Sequence, residues 1–297
     1  MKHRDVIVIG AGPAGVSAAI ELRLLGVDSL LVEMDEIGGL LRNAHLVTNY
    51  PGFPRGTSGR ELARLFQMHL RTAGVEIMHE EASNVAYKNG RFAVRTANTL
   101  TEASILIVAT GTRAREIPGL RIAESASPRI FYEPHRLFGI LGKRIAIIGS
   151  GDAAFDYAMS LSARNEIVVL MKGDIPKCNT ALLEMCRGRE NIVVRKKTTV
   201  ESIDVIKRSL ILTSVAGDRP ERERINADYA LIAIGREPRL DFLAGAMLKR
   251  LDALREKKVL YFIGDVANGT YRQTGICVGD GIRAAMEIRD HLRGIET

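Results

Sequence analysis

Residues 5–15 read DVIVIGAGPAG, an apolar run that ends in a glycine-rich turn. A continuous apolar run of this kind is typical of a parallel strand that is buried on both faces. Val16 to Leu25 has the apolar spacing of a helix, and Gly26 follows it as a helix-ending residue. Ser29 to Glu33 has the composition of a second strand. The stretch therefore predicts a strand–turn–helix–strand unit at the start of the chain.

The turn of this unit has the spacing G-x-G-x-x-G, and Glu33 stands at the end of the next strand. The first glycine of such a motif makes the tight turn, the second lets the backbone approach a pyrophosphate, and the third lets the helix pack on the strand. The carboxylate of Glu33 is placed to accept hydrogen bonds from ribose hydroxyls. The sequence thus predicts a dinucleotide site formed by Gly10, Ala11, Gly12, Pro13, Ala14, Gly15 and Glu33.

The same order of elements begins again at residue 143, where KRIAIIGSG leads into a second glycine-rich turn. A helix at 152–163, a strand at 166–170, a polar strand-rich stretch at 192–213 and a buried strand at 229–235 follow. Alanine stands at the third glycine position, which the fold tolerates. The second predicted dinucleotide site comprises Gly149, Ser150, Gly151, Asp152, Ala153 and Ala154.

The tail consists of one more buried strand, 259–265, and a helix predicted at 279–293. A lone strand and helix cannot form a core, so they must return to the first domain, which lacks its final strand. We therefore predict an α/β fold of two Rossmann-like dinucleotide-binding domains, each with three layers (ββα), the second inserted into the first. The predicted boundaries give 1–114 with 242–297 for the first domain and 115–241 for the second.

The end of the strand at 166–170 indicates which nicotinamide cofactor the second site takes. Its tip reads Met171-Lys172-Gly173, without the acidic residue that favours NAD. Lys172 and Lys177 match a 2′-phosphate, so NADPH is favoured over NADH. The alternative is that both lysines are simply solvated.

Composition excludes several classes of protein. The 297 residues are 46% hydrophobic and 26% charged, and no stretch has the length of a membrane-spanning helix. The net charge is +7, but only 5% of residues are aromatic and no nucleic-acid-binding signature is present. We expect a soluble cytoplasmic protein that binds neither nucleic acid nor membrane. Its basic surface is either an ordinary solvated surface or a docking face for an acidic electron-carrier protein.

Further stretches identify a family. Over essentially its whole length the chain resembles the low-molecular-weight thioredoxin reductase-like flavoproteins. Besides the two turns and Glu33, the matching stretches are Gly38-Gly39, Asn49-Tyr50-Pro51-Gly52-Phe53, Ala109-Thr110-Gly111, Ile234-Gly235, Gly264-Asp265 and Arg272-Gln273. The resemblance implies FAD in the first domain, a nicotinamide cofactor in the second, and a homodimer.

The resemblance also implies roles for individual residues. Asp265 would bind the ribityl and pyrophosphate side of FAD, and Asn49 would line the flavin. A helix start near the flavin pyrimidine edge would carry Arg272, Gln273 and Thr274. Gly235 would face the nicotinamide arm. The remaining FAD contacts implied are Gly38, Gly39 and Leu41 along the flavin edge, Val85 beside the adenine, and Ala109, Thr110, Gly111 and Gly264.

One departure from the family decides the functional prediction. Thioredoxin reductases carry a redox-active C-x-x-C before the second turn, and counting back from Gly149 places Tyr132 and His135 at its two positions. No two of the three cysteines, Cys178, Cys186 and Cys277, have this spacing, and Cys178 and Cys186 are either ordinary thiols or a displaced dithiol. His135 is a candidate proton donor to flavin or substrate, or else fills space. Tyr132 either shields the flavin or packs in the core.

These observations predict an FAD-dependent oxidoreductase that passes electrons between NAD(P)H and a non-disulfide acceptor, and not a thioredoxin reductase. The family's His-Arg-Arg box is only partly matched by Met171-Lys172-Gly173, which leaves alternatives open. One is a ferredoxin- or flavodoxin–NAD(P) reductase, or a ferredoxin-dependent flavoenzyme. The other is a non-catalytic flavin-binding sensor.

Overall fold

The computed structural model describes residues 3–217 and 221–295, and its chain divides into two units. The first unit comprises Met1–Arg113 and Pro238–Thr297, and the second comprises Ala114–Glu237. The first boundary between the units lies one residue before the predicted one, and the second boundary lies four residues before the predicted one. The second difference arises because the Arg239 amide donates to the Gly111 carbonyl and Phe242 is buried in the core of the first unit.

The secondary structure alternates in the order expected for a duplicated α/β fold. In chain order the strands are β1 (His3–Ile9), β2 (Ser29–Val32), β3 (Ile77–Met78), β4 (Asn84–Lys88), β5 (Arg91–Arg95), β6 (Leu100–Val108), β7 (Thr112–Ala114), β8 (Arg121–Ile122), β9 (Ile130–Phe131), β10 (Arg144–Ile148), β11 (Glu166–Leu170), β12 (Ile192–Arg195), β13 (Thr198–Ile206), β14 (Ser209–Ala216), β15 (Arg222–Ala227), β16 (Tyr229–Ile232), β17 (Arg236–Pro238) and β18 (Leu260–Phe262).

The helices are α1 (Pro13–Leu24), α2 (Gly59–Ala73), α3 (Asp152–Ser162), α4 (Thr180–Arg187), α5 (Gly245–Leu248), α6 (Leu251–Glu256) and α7 (Thr274–Leu292). Short 3₁₀ helices span Gly39–Asn43, Glu124–Arg129, Pro134–Leu137 and Gly264–Val266. Ser58 caps the start of α2, because its hydroxyl accepts a hydrogen bond from the Glu61 amide at 3.1 Å. Gly74 ends α2 with a φ of 68°.

The sheet of the first unit has the strand order β3-β2-β1-β6-β5-β4, and β18 also pairs with β6. The strands β1, β2, β3, β6 and β18 are parallel, whereas β4 and β5 form an antiparallel hairpin. One face of the parallel strands packs on α1 and α7. The other face packs on the hairpin and on the segment 240–259. The predicted return of the tail to the first domain is therefore confirmed.

Helix α7 begins earlier than the sequence pattern predicted, at Thr274 and not at residue 279. The pattern was misleading because Gly275, Gly279 and Gly281 interrupt the apolar spacing. Gly281 is required where α7 packs on α1, because a Cβ at this position would overlap the carbonyl oxygen of Ala14 and the hydroxyl of Ser17. The glycine lets the two helices approach closely.

The second unit repeats the plan with a parallel sheet of order β12-β11-β10-β16-β9. Helices α3 and α4 cover one face, around the buried Phe155 and Cys186. The antiparallel strands β13, β14 and β15 cover the other face. This is a three-layer ββα arrangement, so the predicted α/β class is confirmed.

Candidate functional site

The turn after β1 needs two of its glycines for packing. Gly10 has a φ of 103°, and a Cβ there would overlap the carbonyl oxygen of Ala109. A Cβ on Gly15 would overlap the carbonyl oxygen of Gly10. The strand, the turn and α1 are therefore held at a separation that any side chain at these two positions would prevent.

Gly12 differs from the other two glycines. A Cβ at Gly12 would have no protein atom within 4 Å, so nothing in the chain fills the space beside it. Helix α1 starts at Pro13, and no side chain caps its N-terminus. Its first N–H groups thus lie next to open space, which is the arrangement that binds a phosphate.

The carboxylate of Glu33 lies at the end of β2, beside this turn. It is only 8% exposed. It accepts hydrogen bonds from the amides of Ala11 at 2.5 Å and Asp35 at 2.8 Å. A carboxylate can accept about four hydrogen bonds, so acceptor capacity is left for a ribose diol.

A pocket extends from Gly10 and Glu33 along the carboxyl ends of β1, β2 and β3. Its lining includes residues that the sequence did not suggest, namely Met34, Glu80, Glu81, Ala82 and Arg239. The loop 80–82 follows β3, a strand too short to be recognised from its composition. Arg239 stands near the start of the second segment of this unit, Pro238–Thr297, and no local signal reveals it.

The predicted adenine contact of Val85 is wrong. Its side chain is completely buried in the core between the sheet and the segment 240–259. Its amide donates to the Phe242 carbonyl, and its carbonyl accepts from the Ala244 amide. Neither the side chain nor the backbone of Val85 is therefore available to a ligand.

The segment that contains Gly38 and Gly39 lies against the first turn. The Gly38 amide donates to the Ala11 carbonyl at 2.8 Å. A Cβ on Gly39 would lie 3.5 Å from the Cα of Gly12. The Leu41 side chain is buried in a small cluster with Val47, Leu62 and Ala63.

Two predicted flavin residues that are far apart in sequence meet at a short hydrogen bond. The Asn49 side-chain amide donates to the Gln273 side-chain carbonyl at 2.7 Å. Nearby in sequence, the Nε of Arg272 is buried and has no hydrogen-bond partner within residues 3–217 and 221–295. Helix α7 begins at Thr274 without a side-chain cap. This end of the helix therefore presents unsatisfied donors.

Gly264 and Asp265 lie where β18 ends. Gly264 has a φ of 72°, and a Cβ there would lie 2.8 Å from the Cβ of Ala14 in the first turn. The Gly264 amide donates to the Asp280 carboxylate at 3.1 Å. The Cys277 thiol donates to Asp265 Oδ1 at 3.3 Å, and burial, followed by the charge of Asp265, raises the pKa of Cys277 to about 12. This cysteine is therefore a protonated donor that orients the carboxylate.

The turn after β10 has the same geometry as the turn after β1. A Cβ on Gly149 would overlap the Ala233 carbonyl, whereas a Cβ on Gly151 would have no atom within 4 Å. Ala154 is fully buried at the third position. The Asp152 carboxylate accepts from the Asn179 amide at 2.8 Å, so it holds the following loop in place.

Lysines gather at one end of the carboxyl edge of this sheet. Lys172 follows β11, and Lys196 and Lys197 follow β12. The Lys197 amide donates to the Gly173 carbonyl at 3.0 Å, which brings the two strand ends together. The ammonium groups of Lys196 and Lys197 lie 3.6 and 3.8 Å from the carboxylate of Asp174. The sequence did not single out Lys196 and Lys197 as site residues.

The other end of the same edge carries the residues at the predicted C-x-x-C positions. Tyr132 and His135 follow β9, and Gly235 and Arg236 follow the neighbouring strand β16. Arg236 Nη1 and Glu133 Oε1 form an ion pair at 2.6 Å, with side chains only 18% and 21% exposed. Tyr132 packs on the apolar cluster beneath β13 and β14, and burial, followed by the charge of Glu116, raises the pKa of its phenol.

Residues 4–281 match the pyridine nucleotide-disulphide oxidoreductases. The chain belongs to this family. Thioredoxin reductase from Borreliella burgdorferi is 28% identical over 97% of this chain and 92% of its own length. The 34.2 kDa protein in the rubredoxin operon of Clostridium pasteurianum is 25% identical over 99% of this chain and 98% of its own.

Solved structures agree in fold. Lactococcus lactis thioredoxin reductase in its FR conformation superposes with a TM-score of 0.86 at 22% identity, over 98% of this chain and 99% of that chain. Members of this family are flavin-dependent oxidoreductases, and those like thioredoxin reductase use FAD and NAD(P)H. This pyridine nucleotide-disulphide oxidoreductase is accordingly a flavin-dependent oxidoreductase.

The three cysteines of this family member, Cys178, Cys186 and Cys277, are all free thiols. Burial raises the pKa of Cys178, and it raises the pKa of the fully buried Cys186 to about 11. Both thiols are free and protonated near neutral pH, which makes them poor nucleophiles. Across the described part of the chain, no group of His, Cys, Asp and Glu side chains could hold a metal ion, and no helix could cross a membrane.

Proposed function

We propose that this chain is an FAD-dependent oxidoreductase that passes electrons between NADPH and an acceptor that is not a disulfide. One observation carries the proposal: two glycine turns, each with open space at its second glycine, occur in a chain without a C-x-x-C. The open space at Gly12 and Gly151 fits a pyrophosphate at each site. Without a C-x-x-C, the usual dithiol route for electrons out of the flavin is missing.

FAD is held in this proposal by the first unit. Gly12 and the N-terminus of α1 receive the pyrophosphate, and Glu33 receives the adenosine ribose. Arg272 fits the pyrimidine edge of the flavin, because its buried Nε still lacks an acceptor among the residues described. When bound, FAD supplies the capacity to take two electrons from a nicotinamide and release them to the acceptor. The other proposed FAD contacts are Gly10, Ala11, Pro13, Ala14, Gly15, Gly38, Gly39, Leu41, Asn49, Ala109, Thr110, Gly111, Gly264, Asp265, Gln273 and Thr274.

NADPH is held in this proposal by the second unit. The pyrophosphate lies at the turn 149–151, between the two ends of the carboxyl edge. Lys172, Lys196 and Lys197 at one end suit the 2′-phosphate, since an ammonium group binds phosphate as a point charge. Gly235 at the other end suits the nicotinamide. Ser150, Asp152, Ala153 and Ala154 complete the turn.

His135 is the proposed proton donor to the acceptor. It follows β9, and β16 beside it leads to Gly235, so both residues lie at the same end of the edge. An imidazole exchanges protons near neutral pH, as reduction of an organic acceptor requires. We assign Tyr132 to packing, because its ring contacts the apolar cluster of the second unit.

A second candidate function is electron exchange with a protein carrier. The net charge of +7 suits an acidic partner, and one relative belongs to a rubredoxin operon. This candidate predicts that the rate at which an acidic carrier is reduced falls as ionic strength rises.

We also propose a homodimer, as in the family that the chain resembles. Light scattering on a sizing column measures the mass of the assembly.

The first experiment is anaerobic stopped-flow mixing of the purified holoprotein with NADH and with NADPH, following the flavin absorbance. We expect rapid bleaching, faster with NADPH. Bleaching by neither nucleotide would overturn the proposal and leave a ferredoxin donor or a non-catalytic sensor. Bleaching followed by reduction of thioredoxin at an enzymatic rate would contradict the non-disulfide acceptor.

A further inference from the structure

One side chain of the pocket beside Glu33 comes from outside every motif that the sequence revealed. Arg239 is the first residue of the first unit after β17, yet it lines the same pocket as Gly10 and Glu33. It is the only cationic residue in the described lining of this pocket, which otherwise carries the carboxylates of Glu33, Glu80 and Glu81.

The backbone of Arg239 is fixed to the end of β6. Its amide donates to the Gly111 carbonyl at 3.2 Å, and its carbonyl accepts from the Thr110 hydroxyl at 2.7 Å. Thr110 itself lines the pocket. The position of Arg239 is therefore set by the same strand that packs against the glycine turn.

The guanidinium group is fixed as well. Its Nη2 lies 2.6 Å from Glu81 Oε1, and its Nη1 donates to Met34 Sδ at 2.8 Å. The side chain is 25% exposed. Because Met34 follows β2 and Glu81 follows β3, the guanidinium is held between residues that follow two neighbouring strands and line the pocket.

The chemistry of this wall suits an adenine. A planar guanidinium packs favourably on an aromatic face, and its N–H groups can donate to ring nitrogens. A carboxylate such as Glu33 suits the ribose hydroxyls beside it. The pocket thus offers a planar cation for the base and an acceptor for the sugar, side by side.

We propose that Arg239 binds the adenine of FAD and supplies part of the affinity of the first unit for its cofactor. Glu81 and Met34 hold the guanidinium in place for this role. The proposal concerns cofactor binding alone and does not depend on the electron acceptor or on NADPH.

The test uses the full chain stripped of FAD. Reconstitution is followed by flavin fluorescence to give the Kd for FAD, and AMP is added as a competitor that carries only the adenosine half. We expect Arg239→Ala to raise the Kd for FAD and the Ki for AMP by the same factor, about tenfold. Arg239→Lys should retain part of the affinity, since it keeps the charge but not the plane.

Arg113→Ala is the matched control. Arg113 lies 3.8 Å from Asp241, which is also 3.9 Å from Arg239 Nε, but Arg113 does not line the pocket. This variant should leave the Kd for FAD and the Ki for AMP unchanged. If Arg239→Ala leaves the Ki for AMP at the wild-type value, whatever happens to the Kd for FAD, the proposal is overturned. Should the alanine variant not fold, Arg239→Lys and Arg239→Gln decide by the same criterion.

Discussion

At the residue scale, each glycine-rich turn contains positions where packing of the protein excludes a side chain and one position where it does not. Gly10 and Gly15 are required by the packing of β1, β6 and α1, since any Cβ would meet backbone atoms. Gly12 adopts a φ of −70°, which any residue can adopt, and its missing side chain touches nothing. We propose that the role of Gly12 concerns a ligand, and a Cβ on Gly151 of the second unit would likewise have no atom within 4 Å.

We predict that Gly12→Val folds but does not retain FAD. A valine fits the open space of the protein and blocks the approach of a pyrophosphate. Gly15→Ala should instead lower the free energy of unfolding of the FAD-stripped protein by about 1–3 kcal/mol, because of overpacking. Thermal melts of stripped protein and the ratio of flavin to protein absorbance distinguish the two variants. Loss of stability in Gly12→Val would contradict the ligand role.

The buried Cys277 predicts a pH dependence of stability. Its pKa rises from 9.0 in the unfolded chain to about 12 in the folded protein. A raised folded pKa contributes stability below pH 9, and this contribution is lost progressively between pH 9 and pH 12. Urea unfolding should therefore show a free energy that declines over this range. The free energy of unfolding of Cys277→Ser should decline less steeply with pH, because serine does not titrate in this range. Equal slopes for the wild type and the variant would count against this account.

At the element scale, α7 completes the first unit by packing on α1. Gly281 faces α1 at a distance that admits no side chain, whereas a Cβ on Gly279 of the same helix would have no atom within 4 Å. The two glycines share one helix and one backbone conformation. Comparing alanine substitutions at the two positions therefore distinguishes the effect of helix propensity from that of helix packing.

We predict opposite effects for the two alanine substitutions. Gly281→Ala should lower the free energy of unfolding by about 1–3 kcal/mol through overpacking. Gly279→Ala should raise it by about 0.5–1 kcal/mol, because alanine favours the helix. Chemical denaturation of the two proteins measures both values. A matching loss in Gly279→Ala would mean that this face of α7 is covered in solution.

At the scale of the whole molecule, two copies of one fold carry opposite charges at corresponding places. The end of β2 in the first unit carries Glu33, with Glu80 and Glu81 nearby, whereas β11 and β12 of the second unit lead to Lys172, Lys196 and Lys197. Carboxylates disfavour a 2′-phosphate and lysines favour one. In the proposed function, these charges favour FAD in the first unit and NADPH in the second.

We predict that Lys196→Gln/Lys197→Gln raises the KM for NADPH about tenfold in flavin reduction, through loss of two phosphate contacts. The KM for NADH should not change, because NADH lacks the 2′-phosphate. Lys249→Gln, an exposed lysine of the first unit, serves as the control. An equal rise for both nucleotides would show that the lysines do not read the 2′-phosphate.

The sequence alone determined the two dinucleotide folds and the insertion of one into the other. These features could be predicted because buried strands and glycine turns are local sequence patterns, and because a lone strand with a helix cannot form a core by itself. The residue pattern placed the start of α7 too late, since glycines that serve packing look like interruptions in a linear pattern. Only the family resemblance implied a helix start at Thr274.

Only the tertiary structure decided which residues face the pockets. Val85 was misplaced because a local pattern cannot tell a buried strand residue from one beside a ligand. Arg239, Glu81 and Lys197 were missed because each reaches its site through the meeting of strand ends that are distant in the chain. Parallel pairing places the carboxyl ends of several strands at one edge, and that juxtaposition exists only once the sheet has formed.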